Sequence, residues 1–461
     1  MSAGGHGGGG LPLLGWVHET MHSIHSDYGI LLPTWTLYIP FILANFAFLV
    51  VAPEQTLNNW SLLLFLSPLW LPYLLYKLAW ARWMRVKRLE YNASQETVYL
   101  ELRIPRDTRK TPAAMETVFR NLNIGPGEGS WWKKNVLGRT RPWWSFELIS
   151  IEGRVHFCVW TRKSMRRAVE TYLYAQYPGL EIVEIPDFLR MIDPFAPSNR
   201  VWSCQYKLKL PDPYPLATYE DYKLDKLDKP EEQTDPLSQV IEFLSSLGKG
   251  ERLWLQIIIR NTKSEKYGGK MKNGKKYTWW DEGQEIVEQI RKATIGEVEF
   301  VDATGVKRKS KSFPNPTKGQ TESMASIERN VDKGAFDVGM RAVYVADRDH
   351  FIGNIGAFVS QIWRPFAGWN EIVPDGAVGS ELFTEMPWED PTGHHYEHEM
   401  RKMVDAARRR AYFHYPYIST NMILNTAVLA TLFHIPSATV TAPGLPRISS
   451  STREAPPNLP L

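Results

Sequence analysis

The sequence predicts an α+β protein: an N-terminal two-helix transmembrane hairpin, then two tandem ferredoxin-like (βαββαβ) modules, the second with a long insertion, then a helical C-terminal segment. Three observations predict it. Two uninterrupted apolar runs stand back to back near the N-terminus. Strand and helix signals then follow in the order βαββαβ, and that order recurs before a charged helical pattern takes over.

The apolar runs cover 31–52 (LLPTWTLYIPFILANFAFLVVA) and 60–80 (WSLLLFLSPLWLPYLLYKLAW). Each is about 20 residues long, the length that spans a bilayer core as a helix. The first has no ionisable group; the second has only Lys77, near enough to its end to snorkel. A chain with a mean hydropathy of −0.31 has no other reason to concentrate apolar residues in one place. The loop Pro53 to Asn59 carries no Lys or Arg, whereas Arg82, Arg85, Lys87 and Arg88 form a basic collar directly after the second run. Positive charge stays on the cytoplasmic side, so both termini are expected there, with the loop outside. The Gly-rich start within residues 1–30 lacks the basic n-region of a cleaved signal peptide. Trp35, Tyr38, Trp60, Trp80 and Trp83 sit where interfacial rings are stable, and Pro40, Pro68 and Pro72 are expected to kink the helices.

Beyond the anchor region, 31–88, roughly 370 residues remain, enough for two or three domains. A net charge of +4 on 461 residues does not by itself point to nucleic acid. Cys158 and Cys204 are the sole cysteines, which excludes a disulfide framework and suits a reducing compartment. The tryptophan pairs Trp131-Trp132, Trp143-Trp144 and Trp279-Trp280 are read as strand and core packing before any binding platform.

The first module is expected over 97–186. Thr97 to Ile104 alternates as a half-buried strand, and Pro112 to Leu122 is helical. Ser145 to Thr161 reads as a hairpin turning at Glu152-Gly153. A helix from Ser164 to Gln176 and a strand from Leu180 to Ile185 complete the order. The second module, 201–375, repeats it. Its elements are a strand at Val201 to Leu210, a helix at Pro236 to Leu247, strands at Arg252 to Arg260 and Phe336 to Ala346, a helix at Asp347 to Trp363, and a short strand from Asn370 to Val373. The insertion at 264–334 separates its central strands, and so long an insertion usually carries function or disorder. The segment 376–442 holds helices at Tyr396 to Tyr412 and Asn421 to Phe433. The stretch 443–461 is Pro- and Ser-rich and reads as an extended tail.

No catalytic constellation stands out. Gly269 to Lys276 approaches the phosphate-loop pattern G-x-x-x-x-G-K-[ST], but Lys276 replaces the hydroxyl that the magnesium ion needs, and the flanking strand and helix are missing. A solvated basic loop is the better reading. Lys263, Lys266, Lys270, Lys272, Lys275 and Lys276, with Lys307, Arg308, Lys309 and Lys311, offer contacts to phosphate or to anionic lipid. His394 and His398 lie four apart, but Lys402 stands where a zincin's second histidine would be. No metal and no cofactor is expected.

The segments SWWKKNVLGRTRPWWSFELISIEGRVHFCVWT, ETYLYAQYPGLEIVEIPDF, FDVGMRAVYVA, NTAVLATLFHIPS and APPNLPL together carry a resemblance. From about Thr97 onward the chain resembles the membrane-anchored region, a domain of unknown function, of ATPases associated with bacterial type IV secretion and conjugation in small-genome lineages. Longer members continue into a P-loop motor; this chain stops at Leu461, in the NLP block. The resemblance implies a non-catalytic scaffold of the bacterial inner membrane that contacts membrane lipid and recruits a separate cytoplasmic ATPase, its tail being the expected docking segment. Two rival readings are a membrane-tethered nucleic-acid-binding protein using the Lys-rich insertion, with weak binding expected, and a nucleotide hydrolase using Lys275.

Overall fold

The computed structural model describes residues 38–124, 129–226, 234–375, 388 and 391–448, apart from 264, 269, 273, 296, 302–306, 312, 439 and 441. The Gly-rich N-terminus, the first residues of the first apolar run and the end of the tail lie outside the described residues.

Prolines divide the apolar region into three helices, α1 (Tyr38–Val51), α2 (Pro53–Phe65) and α3 (Ser67–Ala93). Pro53 and Pro68 each stand in the first turn of a helix, where a missing N–H costs nothing. Two expectations are corrected here. The loop at Pro53 to Asn59 is helical, and the run 60–80 is shared between α2 and α3, which meet at a 63° bend. Among the described residues no single helix is long and apolar enough to cross a membrane; α2 and α3 together meet that length and composition. α3 carries exposed Leu69, Trp70, Tyr73 and Leu75 at its start and continues unbroken through the basic collar.

The body begins with β1 (Thr97–Pro105), α4 (Pro112–Leu122) and the short α5 (Trp131–Asn135), whose N-cap Ser130 accepts from the Lys133 N–H. The hairpin β2 (Trp143–Ile151) and β3 (Arg154–Arg162) turns at Glu152 (φ 51°) and Gly153 (φ 82°), two consecutive left-handed residues that match the strand twist. There follow α6 (Arg166–Gln176), β4 (Glu181–Glu184), α7 (Phe188–Met191), β5 (Asn199–Leu208), α8 (Pro236–Ser245) and β6 (Glu251–Asn261). The insertion contains two small hairpins, β7 (Met271–Lys272) with β8 (Lys275–Lys276) and β9 (Glu297–Val301) with β10 (Lys307–Lys311). It also contains the helices α9 (Trp279–Ala293) and α10 (Lys318–Asp332), which pack together through Val287, Met324 and Ile327. The chain returns as β11 (Ala335–Asp347), α11 (Ile355–Ser360) and β12 (Ile372–Pro374). It then forms α12 (His394–Arg408), the pair β13 (Phe413–His414) and β14 (Tyr417–Ile418), β15 (Met422–Asn425), α13 (Thr426–Leu432) and β16 (Arg447–Ile448).

Ten strands form one sheet in the order β12-β5-β11-β6-β2-β3-β1-β16, with β15 also on β11 and β4 also on β1. All pairings are antiparallel except β16 on β1. The expected strands at Arg252 to Arg260 and Phe336 to Ala346 are paired directly, as β6 and β11. The two halves of the chain share the sheet through β2 and β6, whose register places Glu147 opposite Gln256 at the centre of the pairing.

Three C-terminal expectations change. The helix from Asp347 to Trp363 is a 3₁₀ turn at Arg348–His350 followed by the six-residue α11, with Gly353 between them. Residues 422–425 of the expected Asn421 to Phe433 helix are β15 instead, because Asn425 caps α13 by accepting from the Val428 N–H. The tail's first residues are not free. Gly444 accepts a hydrogen bond from the Val155 N–H at 2.8 Å, and Ile448 accepts one from the Arg106 N–H at 3.0 Å.

One face of the sheet is apolar and lies under α4, α6, α8, α11 and α13. Phe119, Phe146 and Phe433 meet there edge to face at 4.9 and 5.1 Å, each burial worth about 1.5–3 kcal/mol. α13 is buried on every side; its apolar residues suit this, and its two threonines donate to Glu116 and to the Ala427 carbonyl. The opposite face carries Glu147, Cys158, Arg162, Gln256, Arg260, Asp337 and Arg341, all buried. α12, α7 and the loop around Tyr412 cover that polar face.

Candidate functional site, an arginine-lined pocket beside the apolar helix

Strand alternation sends Trp143 of β2 and Trp160 and Arg162 of β3 to the polar face, where they floor a pocket of about 590 Å³. The last turn of α3 and the residues after it, from Leu89 to Gln95, form one wall. The segment Arg409 to Pro416 forms another, and Arg190 of α7 reaches in from the side. Four arginines (Arg162, Arg190, Arg409, Arg410) line it against one carboxylate, Glu90, which is itself paired with Lys87 at 2.7 Å.

Arg410 stands immediately beyond α12 in the left-handed region (φ 49°), and its charge is bound at both ends. Its Nε and Nη2 donate to Glu147 at 2.9 and 3.1 Å, and Nη1 and Nη2 donate to Asp187. Burial opposes the charge on Arg410, but the Glu147 carboxylate overcomes it and holds the guanidinium well above its ordinary pKa. Glu147 also accepts from Tyr99 OH at 2.8 Å, Ser145 Oγ at 2.7 Å and Gln256 Nε2 at 3.2 Å. Arg341, two strands away, donates to Ala411 O at 3.0 Å and lies 5.6 Å over the Tyr412 ring; burial lowers its pKa to about 10.

Arg162 ties the pocket floor to α3. Its Nη2 donates to Thr140 Oγ1 at 2.7 Å and to Asn92 Oδ1 at 3.4 Å, and Thr140 Oγ1 donates to Asn92 Oδ1 at 2.6 Å. The guanidinium lies 4.7 Å from the Trp143 ring and 5.4 Å from Tyr91. Desolvation lowers its pKa. Beside it, the His414 ring sits 5.7 Å from Trp143. Burial, with Arg260, Arg88, Arg141 and Arg162 around it, pushes the His414 pKa well below 6.5, so the imidazole is neutral. Among the described residues, Trp143 Nε1, Arg162 Nε and His414 Nε2 are shielded from solvent without a hydrogen-bond partner. The arrangement can attract and hold an anion flanked by aromatic surface.

The collar residues Arg82, Arg85, Lys87 and Arg88 all fall on α3, on the approach to this pocket. Arg85 lies 5.4 Å over Tyr415, and Lys87 lies 5.1 Å over Trp83. The insertion lysines are elsewhere. Lys270 lies 4.1 Å over the Tyr277 ring, Lys272 pairs with Glu285 at 3.0 Å, and Lys266 pairs with Asp212. Lys275 and Lys276 are exposed on β8. Gly274 makes the turn between β7 and β8 at φ 75°, and the next helix starts only at Trp279. His394 and His398 lie in the first turns of α12, and no cluster of three metal-ligating groups occurs among the described residues.

Arg162, Arg190, Arg409 and Arg410 were not among the sequence candidates. The run Arg408 to Arg410 reads as a solvated helix end, and only the left-handed turn at Arg410 carries its side chain beneath the sheet. An arginine closing an apolar strand, as Arg162 does, was the one available signal.

Fold and pocket define a coarse class: a mixed α+β protein with apolar N-terminal helices, one of which is built into the body. No protein-family model matches the chain, and no curated protein matches its sequence.

Proposed function

We propose that this chain is a non-catalytic, membrane-anchored scaffold of a type IV secretion or conjugation-like machine that recruits a separate cytoplasmic ATPase. The observation that carries the scaffold reading is the junction of α3 with the body. α3 leaves the apolar region and ends against the sheet through Asn92, Thr140 and Arg162. Gly138 approaches so closely that a Cβ there would lie 2.5 Å from the Lys87 carbonyl. A lever seated in this way transmits position between bilayer and body, which a flexible tether does not.

In this reading α1 is one limb of a two-pass anchor in the bacterial inner membrane and the bent α2–α3 pair is the other, with both termini cytoplasmic. The body is two ferredoxin-like modules fused edge to edge. Each half runs βαββαβ, and the pairings β4-β1-β3-β2 and β12-β5-β11-β6 place corresponding strands in corresponding positions. Since Pro443 to Ile448 already lies on the sheet, a tail that docks the ATPase would do so through 449–461. The nucleic-acid and hydrolase readings draw less support, because Lys266, Lys270 and Lys272 are engaged within the protein and the glycine-lysine run closes a hairpin.

Affinity purification from native membranes after cross-linking tests the proposal. Enrichment of an ATPase or another secretion component is expected; its absence with the full-length chain removes the docking idea. Equal enrichment with a chain truncated after Ile448 keeps the partner and removes the tail from its recruitment.

A further inference from the structure

We propose that the arginine-lined pocket receives the phosphate headgroup of an anionic membrane lipid, an inference that rests on the membrane-anchored reading of α1–α3. Three independent features converge on that ligand. The first is charge. Arg190 pairs with Asp187 at 3.3 Å and Arg409 with Asp405 at 2.8 Å, each through one nitrogen, Nε, and their side chains remain 58% exposed. Each guanidinium presents five N–H donors in a planar fork suited to phosphate oxygens, so donors remain for a ligand.

The second is an unmet donor in the floor. Trp143 is 8% exposed, lines the pocket, and its indole N–H has no partner among the described residues. A buried N–H without an acceptor costs about 1–3 kcal/mol, and a ligand oxygen met by a small turn of the ring toward the pocket would remove that cost.

The third is location. On α3, Trp83 is exposed and about two turns, roughly 9 Å, before Leu89, where the pocket lining begins. Trp131 stacks on Trp80 with ring centroids 6.3 Å apart. Trp131 and Trp132 are 64% and 59% exposed on α5, whose next two residues are Lys133 and Lys134. Exposed Leu137 and Tyr415 belong to neighbouring loops, and exposed Ile418 to β14. Exposed tryptophans and lysines beside an apolar helix match the chemistry of the bilayer–water interface, where rings sit at the headgroup level and basic groups attract acidic lipid. In the anchored reading the pocket therefore lies within a headgroup's reach of that surface; Tyr415 lines it, and Arg85 lies over the Tyr415 ring.

The test uses the full chain reconstituted into phosphatidylcholine nanodiscs in which part of the lipid is phosphatidylglycerol. Native mass spectrometry counts the lipids retained after release. Wild-type protein is expected to retain phosphatidylglycerol about tenfold over phosphatidylcholine, and the rim variant Arg190→Gln/Arg409→Gln to lose about that factor. Trp143→Phe keeps the ring, removes only the N–H, and is expected to weaken retention by a few-fold. Normal insertion with equal retention of both lipids by the wild type overturns the headgroup site and leaves the anchor intact. Failure of the wild type to insert overturns both. Full displacement of phosphatidylglycerol by an equal concentration of inorganic phosphate assigns the site to a soluble anion and overturns the lipid.

Discussion

Arg410 and Glu147 form a two-point ion pair beneath the centre of the sheet, at 2.9 and 3.1 Å, with neither side chain exposed to solvent. Glu147 faces Gln256 where β2 and β6 join, and Arg410 lies just past α12. The pair therefore fastens the helix covering the polar face to the seam between the halves of the chain. Removing Arg410 leaves the Glu147 carboxylate buried without a counter-charge. Arg410→Met is expected to lower stability by about 3–5 kcal/mol, whereas the double change Glu147→Leu/Arg410→Met recovers only part of it, because Asp187 stays without Arg410 and Tyr99, Ser145 and Gln256 lose their acceptor. Chemical denaturation of the four proteins of this cycle reads both numbers.

Gly138 stands in the left-handed region at φ 63°, against the α3 backbone. Gly138→Ala adds a Cβ that meets the Lys87 C and O atoms at 2.5 Å and the Arg88 N at 2.9 Å, so α3 must move off the body. A loss above about 1 kcal/mol is expected. Spin-label distances between α3 and β3 should broaden. Unchanged distance distributions would show that the junction is not held there.

Stability should fall on mild acidification because of His414. Its pKa is held well below 6.5 by burial and by the surrounding arginines, so below pH 6.5 the unfolded chain binds a proton that the folded chain does not. The stabilisation is complete above about pH 6.5 and is lost progressively as pH falls toward the folded value. Glu101 acts later. The hydrogen bond from His156 lowers its pKa against the opposing effect of burial, so its contribution is lost only below the ordinary carboxylate value of about 4.3. His414→Phe should flatten the midpoint-versus-pH curve from about pH 6.5 downward, and Glu101→Gln should flatten it only below about pH 4.3.

Topology is open to cysteine accessibility. In a background lacking Cys158 and Cys204, an impermeant reagent on intact cells should label Gln55→Cys, which begins α2, and spare Ser94→Cys at the end of α3. The opposite pattern would invert the anchor.

Titration of single-stranded DNA against salt separates a scaffold from a nucleic-acid tether. Phosphate contacts give log affinity a slope of about −0.7 per contact on log salt. Weak binding is expected, with Lys275 and Lys276 the exposed pair. A steep slope that Lys270→Gln, Lys272→Gln, Lys275→Gln and Lys276→Gln together abolish would favour the tether.

Whatever the order of residues alone decides is local. Alternation in Thr97 to Ile104, the Glu152-Gly153 turn and the apolar spacing of Pro112 to Leu122 each depend on neighbours a few residues away, and those elements stand where the periodicity put them. The apolar runs were equally legible as composition; their division at Pro53 and Pro68 was not, because the same proline either kinks one helix or starts another. Tertiary structure alone decided the rest. β15 reads as helix until β11 offers its edge, and the Pro-rich tail reads as free until β1 and the Gly153 turn receive it. The pocket is the extreme case. Asn92, Trp143, Arg162 and Arg410 come from four separate places in the chain, and no periodicity links a helix end to a strand hundreds of residues away. They meet because the polar face of the sheet had to be covered, and covering it required charges that pair with its own.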